Sequence, residues 1–292
     1  MLKKVCLVLL LAVWAHTALA QTPATPANRS AFFTTSDGVR LHYLEAGAVN
    51  APAIVFVPGW TMPGEIWQPQ INAFAGRYHV IALDPRSQGE SDKPPEGNYP
   101  ERRARDIKEL IEDRKLAPAV LVGWSLGVHE LLAYVEQFGT ESLRALVLVD
   151  GFVWDKLDPQ LGSAMRGMLQ QAQRDRAAFT ASFVRSMYKK PQLPAYLQHI
   201  TQASLQTPTN SAALLIYNML RDDWSPAIRK LDKPVLVAIT PASQKAADVI
   251  RQYAPQAKVE VFEDAGHALF VDDAERFNRI LQDFIVTANS NH

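Results

Sequence analysis

Six short apolar runs, rich in β-branched residues, punctuate the chain at 53–57, 80–83, 119–122, 145–149, 235–239 and 259–262. Runs of this length with little polar alternation read as strands of a parallel sheet buried on both faces. Between several of them the apolar positions recur with helical spacing, as in 103–114 and 274–284, so strands and helices alternate. That alternation predicts an α/β fold with a mostly parallel, doubly wound sheet. Ligands bind such sheets at the carboxyl ends of the strands. Gly59, Asp84, Ser125, Asp150 and His267 all follow the ends of these runs.

One strand end carries a more specific pattern. Behind the run 119–122 stands Gly123-Trp124-Ser125-Leu126-Gly127, and beyond it Leu131, Leu132, Tyr134, Val135 and Phe138 recur near helical spacing. A buried strand that reverses into a helix within so few residues strains the backbone at its apex and leaves almost no room for side chains on either side. Glycine at 123 and 127 meets that demand. Ser125 is then placed as a nucleophile at a helix N-terminus, where the helix dipole favours developing negative charge. By itself the pentapeptide also fits an ordinary glycine-flanked turn.

Pro58-Gly59-Trp60, the loop Asp84-Pro85-Arg86-Ser87-Gln88-Gly89-Glu90-Ser91 and the Ser125 pentapeptide together resemble the α/β-hydrolase superfamily, over residues 32–284. The branch they are most similar to is that of esterases and cofactor-free haloperoxidases (perhydrolases). The resemblance implies that Ser125 is the nucleophile, with an oxyanion hole made by the backbone N–H groups of Leu126 and Trp60. Pro58 stands where many members carry histidine, which leaves the backbone donor intact, and Ser87 replaces a glycine common in its loop. Asp84 and Arg86 are read as supports of that loop.

His267, in Glu263-Asp264-Ala265-Gly266-His267 after the last run, is the expected general base and acid, and its place after Ser125 agrees with the chain order of this fold. His42, His79, His129 and His199 are read as structural. The acid is less direct. After the run 235–239, where most relatives place an aspartate, the chain reads Thr240-Pro241-Ala242-Ser243-Gln244-Lys245 and offers no carboxylate. Some α/β-hydrolases carry the acid one strand earlier, and here that strand ends in Asp150. Asp150 is therefore the first candidate, with Asp155, Asp248 and Asp264 as alternatives and a Ser–His dyad also open.

Between 151 and 230 the strand pattern stops and helical patterns carry Met165, Met168, Leu169, Phe179, Phe183, Met187, Tyr188, Tyr196, Tyr217 and Trp224. The family inserts its cap here, and a helical cap would shape an acyl or alkyl pocket. Methionines at such spacing are more often core packing than pocket lining, so none is assigned to the pocket. The expected organisation is a signal peptide (1–20), a flexible arm (21–30), a core (31–150 and 231–286) split by the cap (151–230), and a tail (287–292).

Composition narrows the function. The 292 residues are 48 % hydrophobic and 21 % charged, enough for one large core, and the formal charge is zero, slightly negative once a leader holding Lys3 and Lys4 is removed. No basic patch suggests nucleic acid, no metal-ligand spacing is apparent, and no cofactor is expected. Lys3-Lys4, the apolar stretch 5–14 and Ala18-Leu19-Ala20 form a secretory leader cleaved after Ala20, implying a periplasmic or secreted protein without a stable membrane anchor. The single cysteine, Cys6, lies within that leader. A serine nucleophile excludes the alkyl-enzyme chemistry of dehalogenases and epoxide hydrolases, which need a carboxylate. The resulting expectation is a secreted, carboxylesterase-like serine hydrolase acting on a small-molecule ester, lactone or thioester, with perhydrolysis as a side activity. A small-hydrophobic-ligand binding protein with a degraded triad is the alternative, and the oligomeric state is open.

Overall fold

In the computed structural model, which describes residues 28–221 and 223–290, eight strands form one sheet: β1 (Arg29–Thr34), β2 (Arg40–Ala46), β3 (Ala53–Val57), β4 (His79–Leu83), β5 (Ala119–Trp124), β6 (Leu143–Val149), β7 (Val235–Ile239) and β8 (Lys258–Val261). Their spatial order is β1-β2-β4-β3-β5-β6-β7-β8. The pairings β1 with β2 and β2 with β4 are antiparallel; all later pairings are parallel. The six apolar runs are β3 to β8. Every residue of β3, β4, β5 and β7 is buried, because helices cover both faces of the sheet.

The helices are α1 (Gln68–Phe74), α2 (Pro100–Asp113), α3 (Leu126–Phe138), α4 (Pro159–Arg174), α5 (Arg176–Ser186), α6 (Pro194–Leu205), α7 (Thr209–Asn218), α8 (Ser225–Ile228), α9 (Gln244–Tyr253), α10 (Leu269–Asp272) and α11 (Ala274–Ser290). One face of the sheet packs on α2, α3, α8 and α9 through residues such as Ile107, Leu131, Ile228 and Ile250. The other packs on α1 and α11 through Ile71, Phe74, Phe277 and Leu281. The fold is thus α/β and doubly wound. The direction of winding changes at β3, whose neighbours are β4 on one side and β5 on the other. The loop holding Trp60 and the turn holding Ser125 leave this switch point side by side, where such sheets bind ligands.

Helices α4 to α7 lie over these strand ends, and α8 returns the chain to the core against α3 and α9. A separate small apolar cluster joins cap to core: Ala172, Ala212, Leu215 and Ile216 meet Trp60 and Leu126. The expected leader (1–20) and most of the expected arm (21–27) lie outside the described residues. The arm's last residues, Arg29 and Ser30, belong instead to β1, where they pair with Glu45 and Leu44. The expected tail is also corrected, because α11 runs on to Ser290. Its apolar stripe does not stop at Phe284 but continues through buried Ile285 and Ala288. Among the described residues no helix is long and apolar enough to cross a membrane.

Candidate active site

The turn between β5 and α3 has the expected strain. Ser125 adopts φ 55° and ψ −116°, a conformation that a side-chain-bearing residue rarely holds. Its neighbours explain why glycine flanks it. A Cβ on Gly123 would lie 2.7 Å from the Gly127 carbonyl oxygen, and one on Gly127 would lie 2.6 Å from the Val57 carbonyl oxygen. The apex is fixed by hydrogen bonds from Ser125 N to Val149 O (2.9 Å) and from Val128 N to Ser125 O (3.0 Å). Gly59, on the neighbouring loop, approaches so closely that a Cβ there would sit 2.9 Å from the Ser125 Cβ.

Ser125 Oγ lies 2.9 Å from His267 Nε2, and His267 Nδ1 lies 2.8 Å from Asp150 Oδ2. Asp150 is the candidate acid that meets the imidazole. The alternatives are engaged elsewhere: Asp155 accepts from the Tyr253 hydroxyl, Asp248 from Gln244 Nε2, and Asp264 is exposed beside Lys189. Asp150 also explains the missing carboxylate after β7. Thr240, the first residue beyond that strand, donates to Asp150 Oδ1 from its backbone N–H (2.7 Å) and its hydroxyl (3.0 Å). Burial alone would raise the Asp150 carboxyl. The hydrogen bond and charge of His267, with the Thr240 N–H, outweigh it and hold the group below the usual aspartate value.

Three further groups hold His267, and the sequence did not single them out. Trp124 Nε1 donates to the His267 carbonyl (2.8 Å), and the Phe152 ring lies nearly parallel to the imidazole at 6.1 Å. Asp272 accepts hydrogen bonds from Gly266 N (2.8 Å) and Lys189 N (2.7 Å), tying the histidine loop to the cap loop between α5 and α6. Gly266 is required there, since a Cβ would fall 2.6 Å from the Met187 carbonyl oxygen. Trp124 lay within the quoted pentapeptide, and Thr240 within a segment searched only for carboxylates. Asp272 had no sequence signal, because besides Gly266 its partners come from a cap loop some 80 residues away.

Leu126 opens α3, so its N–H precedes the helical hydrogen-bond ladder. Among the described residues neither this N–H nor that of Trp60 has a main-chain partner. The Trp60 loop is held from below by Gln88, whose Nε2 donates to Gly59 O (3.1 Å) and Met62 O (2.7 Å) and whose Oε1 accepts from Thr61 N (3.2 Å). Asp84 and Arg86 brace the same region: Asp84 accepts from Glu90 N and pairs with His42, and Arg86 makes a bidentate pair with buried Asp106. The other described histidines have different partners. His79 pairs with Glu45, His199 with Glu65, and fully buried His129 donates to Phe152 O.

A cavity of about 600 Å³ opens above Ser125 and His267. Trp60, Phe152 and Phe183 line it, together with Met165, Met168, Met187 and Met219. Met165, Met168 and Met187, left unassigned in the sequence, therefore face the cavity as well as packing within the cap. Among the described residues no group of three or more His, Cys, Asp or Glu side chains could hold a metal ion.

A family model described as the alpha/beta hydrolase fold matches residues 52–274, from β3 to the start of α11. The chain belongs to this family. The α/β-hydrolase relatives include a non-heme chloroperoxidase of Kitasatospora aureofaciens, 27 % identical over 86 % of this chain and 98 % of its own length. A bifunctional esterase/perhydrolase of Acinetobacter calcoaceticus is 31 % identical over 40 % of this chain and 43 % of its own. Among solved structures, an esterase from Exiguobacterium antarcticum superposes with a TM-score of 0.81 at 22 % identity, covering 88 % of this chain and 99 % of that one. The names of these relatives fall in the esterase and haloperoxidase-like branch that the sequence resembles, and the class of chemistry the family supports for this α/β-hydrolase is that of a hydrolase.

Proposed function

We propose that the protein is a secreted serine hydrolase that cleaves small ester-like substrates, carboxylic esters, lactones or thioesters, through an acyl-enzyme on Ser125. The observation that carries this reading is the unbroken line from Ser125 Oγ to His267 to Asp150. Neutral His267 donates Nδ1–H to Asp150, which leaves the Nε2 lone pair facing the serine hydroxyl. Ser125 Oγ attacks the substrate carbonyl while Nε2 takes its proton, and the carbonyl oxygen becomes an oxyanion received by the N–H groups of Trp60 and Leu126. Loss of one such donor typically costs about 3 to 4 kcal/mol of transition-state stabilisation. Collapse expels the leaving group, protonated by His267. Water, deprotonated by the same imidazole, then attacks the acyl-enzyme and releases the acid.

The apolar cavity supports a substrate with a hydrophobic acyl or alkyl part, and its position above Ser125 supports catalysis over binding alone. A small-ligand binding protein has no need of an imidazole held between serine and carboxylate. The names of the chloroperoxidase and esterase/perhydrolase relatives favour a second reaction of the same acyl-enzyme, in which hydrogen peroxide replaces water and a peracid leaves.

Hydrolysis of an ester series of increasing acyl length, with Ser125→Ala alongside, tests the reading. Turnover that disappears in the variant is expected, and no turnover with any ester contradicts it. Secretion rests on the leader 1–20. Expression of the full chain should yield periplasmic or extracellular protein whose first residue is Gln21.

A further inference from the structure

We propose that the Trp60 side chain is a strut through which the cap sets the oxyanion hole, with Arg176 as the positioning residue that locks it. The inference rests on the serine-hydrolase reading and assigns the cap a part in the chemical step, besides shaping the cavity.

The two halves of the Trp60 loop are anchored to different parts of the molecule. Gly59 and Thr61 are held by Gln88, on the core side. The Trp60 side chain instead reaches into the cap, where it is 4 % exposed. Its Nε1–H donates to the carbonyl of Ala212 in the first turn of α7 (2.8 Å). Phe179 and Phe183 of α5 present their rings edge-on to the indole, at 5.7 and 5.3 Å. Thr61, the next residue, shares a 2.6 Å hydrogen bond with Ser204 Oγ of α6. Three cap helices therefore grip two consecutive residues of the loop that carries the proposed Trp60 oxyanion donor.

Arg176 closes the arrangement. Its guanidinium stands 4.7 Å over the indole ring, hydrogen-bonds Ser204 O (3.1 Å) and Thr180, and has no carboxylate partner among the described residues. Burial lowers its pKa to about 10. A partly desolvated cation without a counter-ion interacts more strongly with the face of an indole than one in water does. Arg176 thereby joins the N-terminus of α5, the C-terminus of α6 and the Trp60 ring at one point. Phe183 lines the substrate cavity as well as touching Trp60, so apolar substrate atoms bear on the same strut.

The consequence is geometric. An oxyanion donor contributes when it lies within hydrogen-bond distance of the developing charge, and a displacement of about 1 Å at a reacting centre can cost about 10²-fold in rate. Loosening the strut should therefore lower kcat more than it raises KM.

The experiment compares Trp60→Phe, which keeps an aromatic cavity wall but loses the bond to Ala212, with Arg176→Met and Arg176→Lys. For each, kcat and KM with a hydrolysed ester, the thermal midpoint and the affinity for an alkyl trifluoromethyl ketone are measured. The ketone adds to the serine and places an oxyanion in the hole. We expect Trp60→Phe and Arg176→Met to lower kcat by roughly 10-fold or more while KM stays within about two-fold, ketone affinity falling in parallel, and Arg176→Lys to keep most of both. Folded variants with unchanged kcat and unchanged ketone affinity overturn the proposal, whatever their thermal midpoints. Should Arg176→Met not fold, Trp60→Phe decides alone. A wild-type protein inert towards both esters and the ketone overturns the serine-hydrolase reading itself and this inference with it; an active wild type leaves only the strut at stake.

Discussion

Asp150 has three hydrogen-bonding tasks, and they pull in one direction. Its Oδ2 orients His267, its Oδ1 receives both donors of Thr240, and its own N–H pairs with Ala238 across the β6–β7 boundary. Asp150→Asn would turn one oxygen into a donor, which either opposes Nδ1–H or forces the other imidazole tautomer. Turnover should fall by about 10⁴ with the fold retained, and near-normal kcat would remove Asp150 from the triad. Thr240→Val should give a smaller loss, because the backbone N–H still holds Oδ1. Ser125, His267 and Asp150 are legible in the sequence because each stands at the end of an apolar run. Thr240 is not legible, since it replaces a carboxylate by donating to one, and only the pairing of β6 with β7 brings the two together.

Between α2 and α3, two buried charges support the loop that holds Trp60. Arg103 Nη1 reaches Glu130 Oε1 at 2.7 Å and Gln88 Oε1 at 2.9 Å, with Arg103 and Glu130 each 1 % exposed. Burial raises the Glu130 carboxyl and the Arg103 charge opposes that shift. Arg103→Leu would strand the acid and free Gln88. Removing one partner of a buried pair costs about 3 to 5 kcal/mol, a loss that urea unfolding would register; a change below about 1 kcal/mol would mean that water reaches Glu130. The charges of α2 were not assigned this role in the sequence, because the helical period puts Arg103 on the face of Ile107 and Leu110 but does not show that Glu130 of α3 meets it there. The central strands, by contrast, are legible because burial on both faces leaves a continuous apolar signature. The strands β1 and β2 lack that signature: β1 is an edge strand with mostly exposed positions, and β2 carries buried His42 and Glu45.

Acid should destabilise the whole molecule through a histidine that does no chemistry. His129 is sealed against Trp224, and burial lowers its pKa from 6.5 to about 4 despite the hydrogen bond to Phe152 O. Between those values the unfolded chain binds a proton that the folded chain refuses. The stability contributed by neutral His129 is therefore complete above pH 6.5, declines by up to about 1.4 kcal/mol per pH unit as pH falls, and is gone below about 4. Unfolding free energies from pH 4 to 7 should show this slope in the wild type and a shallower one in His129→Gln; identical slopes would place the acid sensitivity elsewhere.

At the same level the cap separates what sequence can and cannot supply. Its position between β6 and β7 follows from where the strand pattern stops, but which methionines face the cavity depends on how α4, α5 and α7 pack over Ser125. The proposed hydrolysis turns on a covalent acyl-enzyme at Ser125. Intact-mass analysis of the protein quenched during turnover of an activated ester should show a single added acyl group, mapped by peptide sequencing to Ser125 and absent from Ser125→Ala. Ester turnover with no adduct at Ser125, or with the acyl group on another residue, would contradict an acyl-enzyme on Ser125.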